Sequence, residues 1–308
     1  MIKELAGMQI SAAFRLGPIF VSLIFGTLFL FAQAYAEKAD GSSYEISDSE
    51  VQTIKSETLG RSYDLFIKFP PGYYAKENAE VRYPVIYLND AGYCWETAVG
   101  VTRAPFNFGG YEKAVLVGVS YANGEDARES RARDLTPTKV AGAKLVHGGA
   151  RDYLTFFRDE VIPFIDSNYR SDTDRRMIAG QSYGGLFGAY ALLEEPGLFH
   201  DYILTSPSLW HNNKVMFEFE AWAAKAGKQL QGRVYFAIGE TETPTINGGR
   251  YDMVGQQTEF ANRLRSRGYE NLIVRDEILE GGTHLTTFPI GFTRALRWLL
   301  PGDNIYGG

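Results

Sequence analysis

Cysteine is nearly absent, since Cys94 is the only one in 308 residues. That excludes an internal disulfide and any zinc or iron–sulfur site built from cysteines. Histidine is scarce too: His147, His200, His211 and His284 are the full set, and no two stand four apart. No metal site is expected, and nothing in the pattern calls for a cofactor. Basic blocks are missing and the formal charge is −6, which argues against a nucleic-acid surface. There is no internal repeat, low-complexity tract or splitting linker in the body of the chain. What is present is 45% hydrophobic, 22% charged and 14% aromatic. Such a balance buries a large core and rules out disorder, collagen and coiled coil.

The first 36 residues read as an address rather than as fold. Lys3 and Arg15 outweigh Glu4, and Leu16–Phe31 then carries no charge. Ala32-Gln33-Ala34-Tyr35-Ala36 follows with overlapping small-x-small sites. That is the layout of a secretory signal peptide cut after Ala36, which implies a periplasmic or secreted protein. The uncharged run is roughly 16 residues, short of the roughly 20 that a spanning helix needs. An uncleaved N-terminal anchor is the rival, and only then would a membrane be a partner. Residues 37–50 are polar and read as a flexible lead-in, which leaves 51–308 as one domain.

Strand-length apolar runs alternate with helical patterns through that domain. The strands expected are Tyr63–Phe69, Val85–Asn89, Ala114–Ser120, Arg176–Ala179, Tyr202–Thr205, Val234–Ile238 and Leu272–Ile278. Several are continuously apolar, as strands covered on both faces are. Helices are expected over Arg151–Tyr169, Tyr183–Leu193, Met253–Arg267 and Phe292–Leu300. Alternation of this kind gives an α/β fold with a mostly parallel central sheet flanked by helices. Tyr121–Gly149 has no clear periodicity and reads as one long charged loop.

Gly180-Gln181-Ser182-Tyr183-Gly184 matches G-x-S-x-G. The string alone is weak; its place between an expected strand and an expected helix is strong. A serine in so tight a turn has strained backbone angles and needs neighbours without side chains two residues either side. The following helix start offers the Tyr183 amide to a developing oxyanion. A serine hydroxyl then needs a base. His284 alone lies beyond the last strand, where the histidine of an α/β-hydrolase belongs. The orienting acid belongs after Val234–Ile238, where Gly239-Glu240-Thr241-Glu242 offers two carboxylates. Glu242 is favoured and Glu240 is its rival.

These residues, with several further strings, resemble the esterase D-like, enterochelin-esterase-like serine hydrolases of the α/β-hydrolase superfamily. The strings include Tyr83–Asp90, Arg133-Asp134-Leu135-Thr136-Pro137-Thr138, Gly148-Gly149-Ala150, Ile162–Ile165, Ala179–Gly185 and Ser206-Pro207-Ser208-Leu209-Trp210. Gly239–Glu242 and Gly282-Thr283-His284 complete the set, in an order that runs from about Glu57 to Leu300. The resemblance implies a single α/β-hydrolase domain with Ser182 as nucleophile, His284 as base and Glu242 as acid. Some siderophore esterases of the group work with a reduced Ser–His pair. The second oxyanion donor comes from the turn after Asp90, where relatives often read Asp-Gly. This chain reads Asp90-Ala91-Gly92, which leaves Ala91, Gly92 or Tyr93 as the donor. In relatives the arginine near Arg133 can face substrate; the competing expectation is a salt bridge that pins the loop. Trp210 is expected as an aromatic pocket wall, His211 as a rim residue and Cys94 as buried filler.

The expected activity is an exported serine carboxylesterase acting through an acyl-enzyme on a small-molecule ester, including siderophore or hydroxy-acid esters. An acyltransferase with the same triad, and a non-catalytic ligand-binding relative, are the alternatives.

Overall fold

The computed structural model describes residues 43–304 apart from 247 and 249, so the expected signal segment 1–36 lies outside the described residues. The unit that begins at Asp48 carries the fold. Eight strands form one sheet: β1 (Ser49–Ser56), β2 (Arg61–Lys68), β3 (Tyr83–Leu88), β4 (Val115–Ala122), β5 (Ser171–Gln181), β6 (Asp201–Thr205), β7 (Gly232–Gly239) and β8 (Leu272–Leu279). Their order across the sheet is β1-β2-β4-β3-β5-β6-β7-β8. The first two ladders, β1/β2 and β2/β4, are antiparallel and all the others are parallel.

Among the described residues eight α-helices interleave with the strands: α1 (Ala91–Phe108), α2 (Ala127–Asp134), α3 (Ala150–Phe156), α4 (Ile162–Asn168), α5 (Tyr183–Glu194), α6 (His211–Lys225), α7 (Met253–Ser266) and α8 (Thr287–Leu299). A single π-helical turn, Phe157–Val161, joins α3 to α4 where the sequence reads one helix. All six residues of β3 and all five of β6 are buried, as helices on both faces of a parallel sheet require. Helix α5 is nearly all apolar and is buried from Gly184 to Leu193, so it packs as a central layer element rather than as a surface helix.

Two expectations change. β1 starts at Ser49, inside the stretch read as lead-in, because its apolar residues are few and it sits at the sheet edge. The expected loop Tyr121–Gly149 contains helix α2, whose first turn is capped by the Asp126 carboxylate on the Arg128 and Glu129 amides. Helices α1 and α6 are further additions. Among the described residues no helix is long and apolar enough to cross a membrane.

The parallel register brings several strand ends level. Leu88 pairs with Ala179, Gln181 with Thr205, Thr205 with Ala237 and Gly239 with Leu279. The segments leaving those ends therefore meet at one edge: residues 89–90, Ser182, residues 206–210, residues 240–246 and residues 280–284. In a parallel α/β sheet that edge is where ligands are bound.

Candidate active site

Ser182 sits between β5 and α5 with φ 59° and ψ −112°, a backbone conformation that residues other than glycine rarely adopt. The turn is held from both sides. The Ser182 amide donates to the Thr205 carbonyl at 3.0 Å, and the Ser182 carbonyl accepts from the Leu186 and Ser208 amides at 2.9 and 3.1 Å. The flanking glycines are dictated by space: a Cβ on Gly180 would lie 2.4 Å from the Gly184 carbonyl carbon, and one on Gly184 would lie 2.3 Å from Asn89 Oδ1. Buried Asn89 itself donates to the Gly184 carbonyl at 3.2 Å.

His284 lies in the loop after β8 and donates its Nδ1–H to Glu242 Oε2 at 2.6 Å. Its backbone is anchored to the serine turn, because Gln181 Nε2 donates to the His284 carbonyl at 2.7 Å. Glu242 is buried, and its other oxygen, Oε1, accepts from Ser206 Oγ (2.6 Å), the Gly239 amide (2.8 Å) and Thr287 Oγ1 (3.1 Å). Burial pushes this carboxyl up, but the hydrogen bonds from His284 and Ser206, with the histidine's charge and the Gly239 amide, outweigh it. The net result lies below the usual carboxylate range. A charge held by that many donors stays ionised and fixes the proton of the imidazole on Nδ1, which leaves the Nε2 lone pair able to accept a proton. Glu240 does none of this: it is exposed and accepts from the Gly281 amide at 2.9 Å. Gly239 lets the two loops close, since a Cβ there would meet the Gly282 carbonyl oxygen at 2.6 Å.

Ser182, Glu242 and His284 share one cavity of about 310 Å³ with Trp210, Thr241, Tyr251 and Met253. Trp210 is a wall of it, stacked on Tyr251 at 4.2 Å between ring centroids. Ser182 Oγ lies 3.1 Å from Ser208 Oγ. Tyr183, Ala91 and Gly92 stand at the first turns of α5 and α1, where amides have no helical partner. The Tyr93 amide is engaged by the Asp90 carbonyl at 3.0 Å.

Other residues lie elsewhere. Arg133 is not among the lining residues; its guanidinium bonds Asp134 at 2.8 Å and pairs with Glu125, which is the loop-pinning alternative. Asp134 in turn accepts from the buried Tyr63 hydroxyl at 2.9 Å. His211 is buried rather than on a rim, with Nε2 3.3 Å from the Thr138 carbonyl. Cys94 is buried, and that burial pushes its thiol up, so it is an inert filler. Among the described residues no cluster of His, Cys, Asp and Glu could hold a metal ion. Sequence reasoning assigned no role to Ser206, Thr287, Gln181 or Arg131. Ser206 lies in the Ser206–Trp210 string, but its role depends on the φ of 41° that lets it reach Glu242.

A serine at a strained strand-to-helix turn, with a buried carboxylate from the end of β7 and a histidine from the end of β8, defines an α/β serine hydrolase. Residues 56–299 match the "Putative esterase" family model. Ferri-bacillibactin esterase BesA of Bacillus subtilis is 30% identical over 277 residues, which are 85% of this chain and 92% of that protein. Siderophore triacetylfusarinine C esterase of Aspergillus fumigatus is 30% identical over 160 residues, half of this chain and 54% of that protein. Among solved structures, the BES protein from Bacillus cereus superposes with TM-score 0.73 at 25% identity, covering 85% of this chain and 98% of its own. Siderophore hydrolase EstB from Aspergillus nidulans has the same fold, with TM-score 0.73 at 22% identity and the same coverages. The chain belongs to this esterase family and is an enterochelin-esterase-like serine ester hydrolase.

Proposed function

We propose that the protein hydrolyses a siderophore-type ester through an acyl-enzyme on Ser182. The observation that carries the reading is the joining of Ser182, His284 and Glu242 in one cavity, with His284 Nδ1 at 2.6 Å from a fully hydrogen-bonded carboxylate. Ser182 Oγ attacks the ester carbonyl carbon while His284 Nε2 takes its proton. Glu242 fixes the tautomer and balances the imidazolium. The carbonyl oxygen becomes an oxyanion held by the Tyr183 amide and by that of Ala91 or Gly92. Collapse breaks the C–O bond, and the leaving alkoxide receives the proton from His284. Water then repeats the two steps and frees the acid from Ser182.

Substrate class rests on the cavity wall and on the relatives. The stacked Trp210–Tyr251 pair offers a flat aromatic face beside Ser182, suited to an aryl ring. The relatives named above act on siderophores by their names. Export is part of the proposal: the charge-free run Leu16–Phe31 and the small-residue sites ending at Ala36 support it.

Two measurements on the purified protein test the reading. Ser182→Ala lowers kcat on p-nitrophenyl acetate by about 10⁴–10⁶, as in other serine triads; more than a few per cent residual activity overturns the mechanism. A catecholamide trilactone has a kcat/KM at least about tenfold above that of p-nitrophenyl acetate. A value equal or lower retires the siderophore assignment and leaves the esterase.

A further inference from the structure

Asp90 stands directly before α1 at φ 65° and ψ 38°, left-handed although it is not glycine. An aspartate in that place ordinarily turns its carboxylate onto the second or third amide of the helix. Here it makes no such bond. The carboxylate, fully buried, is turned the other way. Arg131 Nε lies 3.1 and 3.2 Å from its two oxygens and Arg131 Nη2 lies 2.5 Å from Oδ2, while the Tyr121 hydroxyl donates to Oδ1. The Gly92 amide, in the second position of the helix, is thereby spared a capping carboxylate. Tyr121 closes the turn from the other side, since a Cβ on Gly92 would lie 2.5 Å from its ring.

The same guanidinium reaches the other half of the oxyanion site. Arg131 Cζ lies 5.1 Å over the Tyr183 ring and 5.3 Å over the Tyr93 ring. It comes from α2, a helix whose other arginines are engaged elsewhere, Arg128 with Asp126 and Arg133 with Glu125 and Asp134. One side chain thus ties the turn ahead of Ala91 and Gly92 to the residue whose amide follows Ser182.

We infer that Arg131 is a positioning residue for the oxyanion site: through Asp90 it holds the strained turn that aims the Ala91 and Gly92 amides, and through Tyr183 it sets that turn against the nucleophile. The inference rests on the proposed acyl-enzyme mechanism. A bidentate, planar donor is required, because an ammonium cannot span both carboxylate oxygens and lie flat on a ring.

The test uses a neutral ester, p-nitrophenyl acetate, and an aryl trifluoromethyl ketone that forms a hemiketal with Ser182 and places its oxyanion in the site. Loss of one oxyanion donor costs about 10²–10³ in kcat, and a displaced donor costs less. Arg131→Met therefore lowers kcat about 10–100-fold with KM within about twofold, and weakens ketone inhibition by the same factor. Arg131→Lys recovers part of both. Asp90→Asn, whose side chain tolerates the left-handed region, retains more activity than Asp90→Gly, which relaxes the strain but loses the anchor. Tyr121→Phe, a smaller change, lowers kcat in the same sense. An Arg131→Met enzyme with unchanged kcat and ketone affinity overturns the inference. So does a rise in KM confined to anionic esters, which would make Arg131 a substrate contact. A fall in melting temperature with full kcat in the folded fraction overturns it as well. If wild type and Ser182→Ala are equally inactive on both probes, it is the mechanism itself that fails.

Discussion

Replacing Glu242 by glutamine changes one atom's chemistry and tests the whole acid network. The carboxylate accepts on both oxygens: Oε2 faces His284 Nδ1, and Oε1 faces Ser206, Thr287 and the Gly239 amide at 2.8 Å. A glutamine must turn its NH₂ to one side or the other. Turned toward Gly239 it sets donor against a backbone N–H that can never accept, an unpaired buried arrangement costing about 1–3 kcal/mol. Turned toward His284 it donates to Nδ1, so the imidazole carries its proton on Nε2 and has no lone pair for Ser182. The second orientation satisfies more groups and wins, and it holds the wrong tautomer. A tautomer error of that kind lowers kcat by about 10⁴ in a serine protease. Glu242→Gln is therefore expected to lower kcat on p-nitrophenyl acetate by about 10³–10⁴, with KM little changed and the fold retained. Glu240→Gln keeps an amide oxygen for Gly281 and is expected to stay within about threefold. Steady-state kinetics on both variants, with a melting curve for each, decide the matter. Retention of more than about a tenth of kcat by Glu242→Gln refutes the reasoning, and so does a larger loss from Glu240→Gln.

Two predictions concern stability. A Cβ on Gly180 meets backbone at 2.4 Å whereas one on Gly100, inside α1, meets nothing within 4 Å; urea melts should show Gly180→Ala destabilised by more than about 2 kcal/mol and Gly100→Ala stabilised by about 0.5–1 kcal/mol. Equal effects would contradict the elbow geometry. His211 is buried, and that burial, helped by the His147 charge against the Thr138 carbonyl, pushes its imidazole down from 6.5 to about 4. The unfolded chain then binds the extra proton, so stability falls as pH drops from about 6.5 to about 4, by roughly 2–3 kcal/mol from this group. His211→Gln should flatten the denaturation-versus-pH slope in that window, and an unaltered slope would refute it.

The sheet was legible where strands are buried on both faces. β3, β6 and β7 are continuous apolar runs, and the three-to-four spacing in Arg151–Tyr169 marked a helical stretch. Polar edge positions hid β1. Helix α1 buries Ala91, Cys94, Trp95, Ala98, Thr102 and Phe106, a stripe too small and mixed to register as apolar periodicity, and it contains Pro105. Helix α6 opens with Asn212, Asn213 and Lys214 in left-handed angles, which blurs its start. Asp126 with Glu129 three residues on was a legible start signal for α2 that the surrounding charge obscured. In the site, Ser182, His284 and the Glu242–Glu240 pair could be read from motif and chain order. Ser206, Thr287, Gln181 and Arg131 could not, because each acts through a contact between segments far apart in the chain.

The central claim, that Ser182 is the attacking group, is tested most directly by covalent capture. A fluorophosphonate probe transfers its phosphonyl group to a serine activated by a base, expels fluoride, and is inert to ordinary surface serines. Intact-protein mass spectrometry should show one adduct, peptide mapping should place it on Ser182, and Ser182→Ala should stay unlabelled. An adduct on any other residue, or none on a folded wild-type protein, would contradict the account.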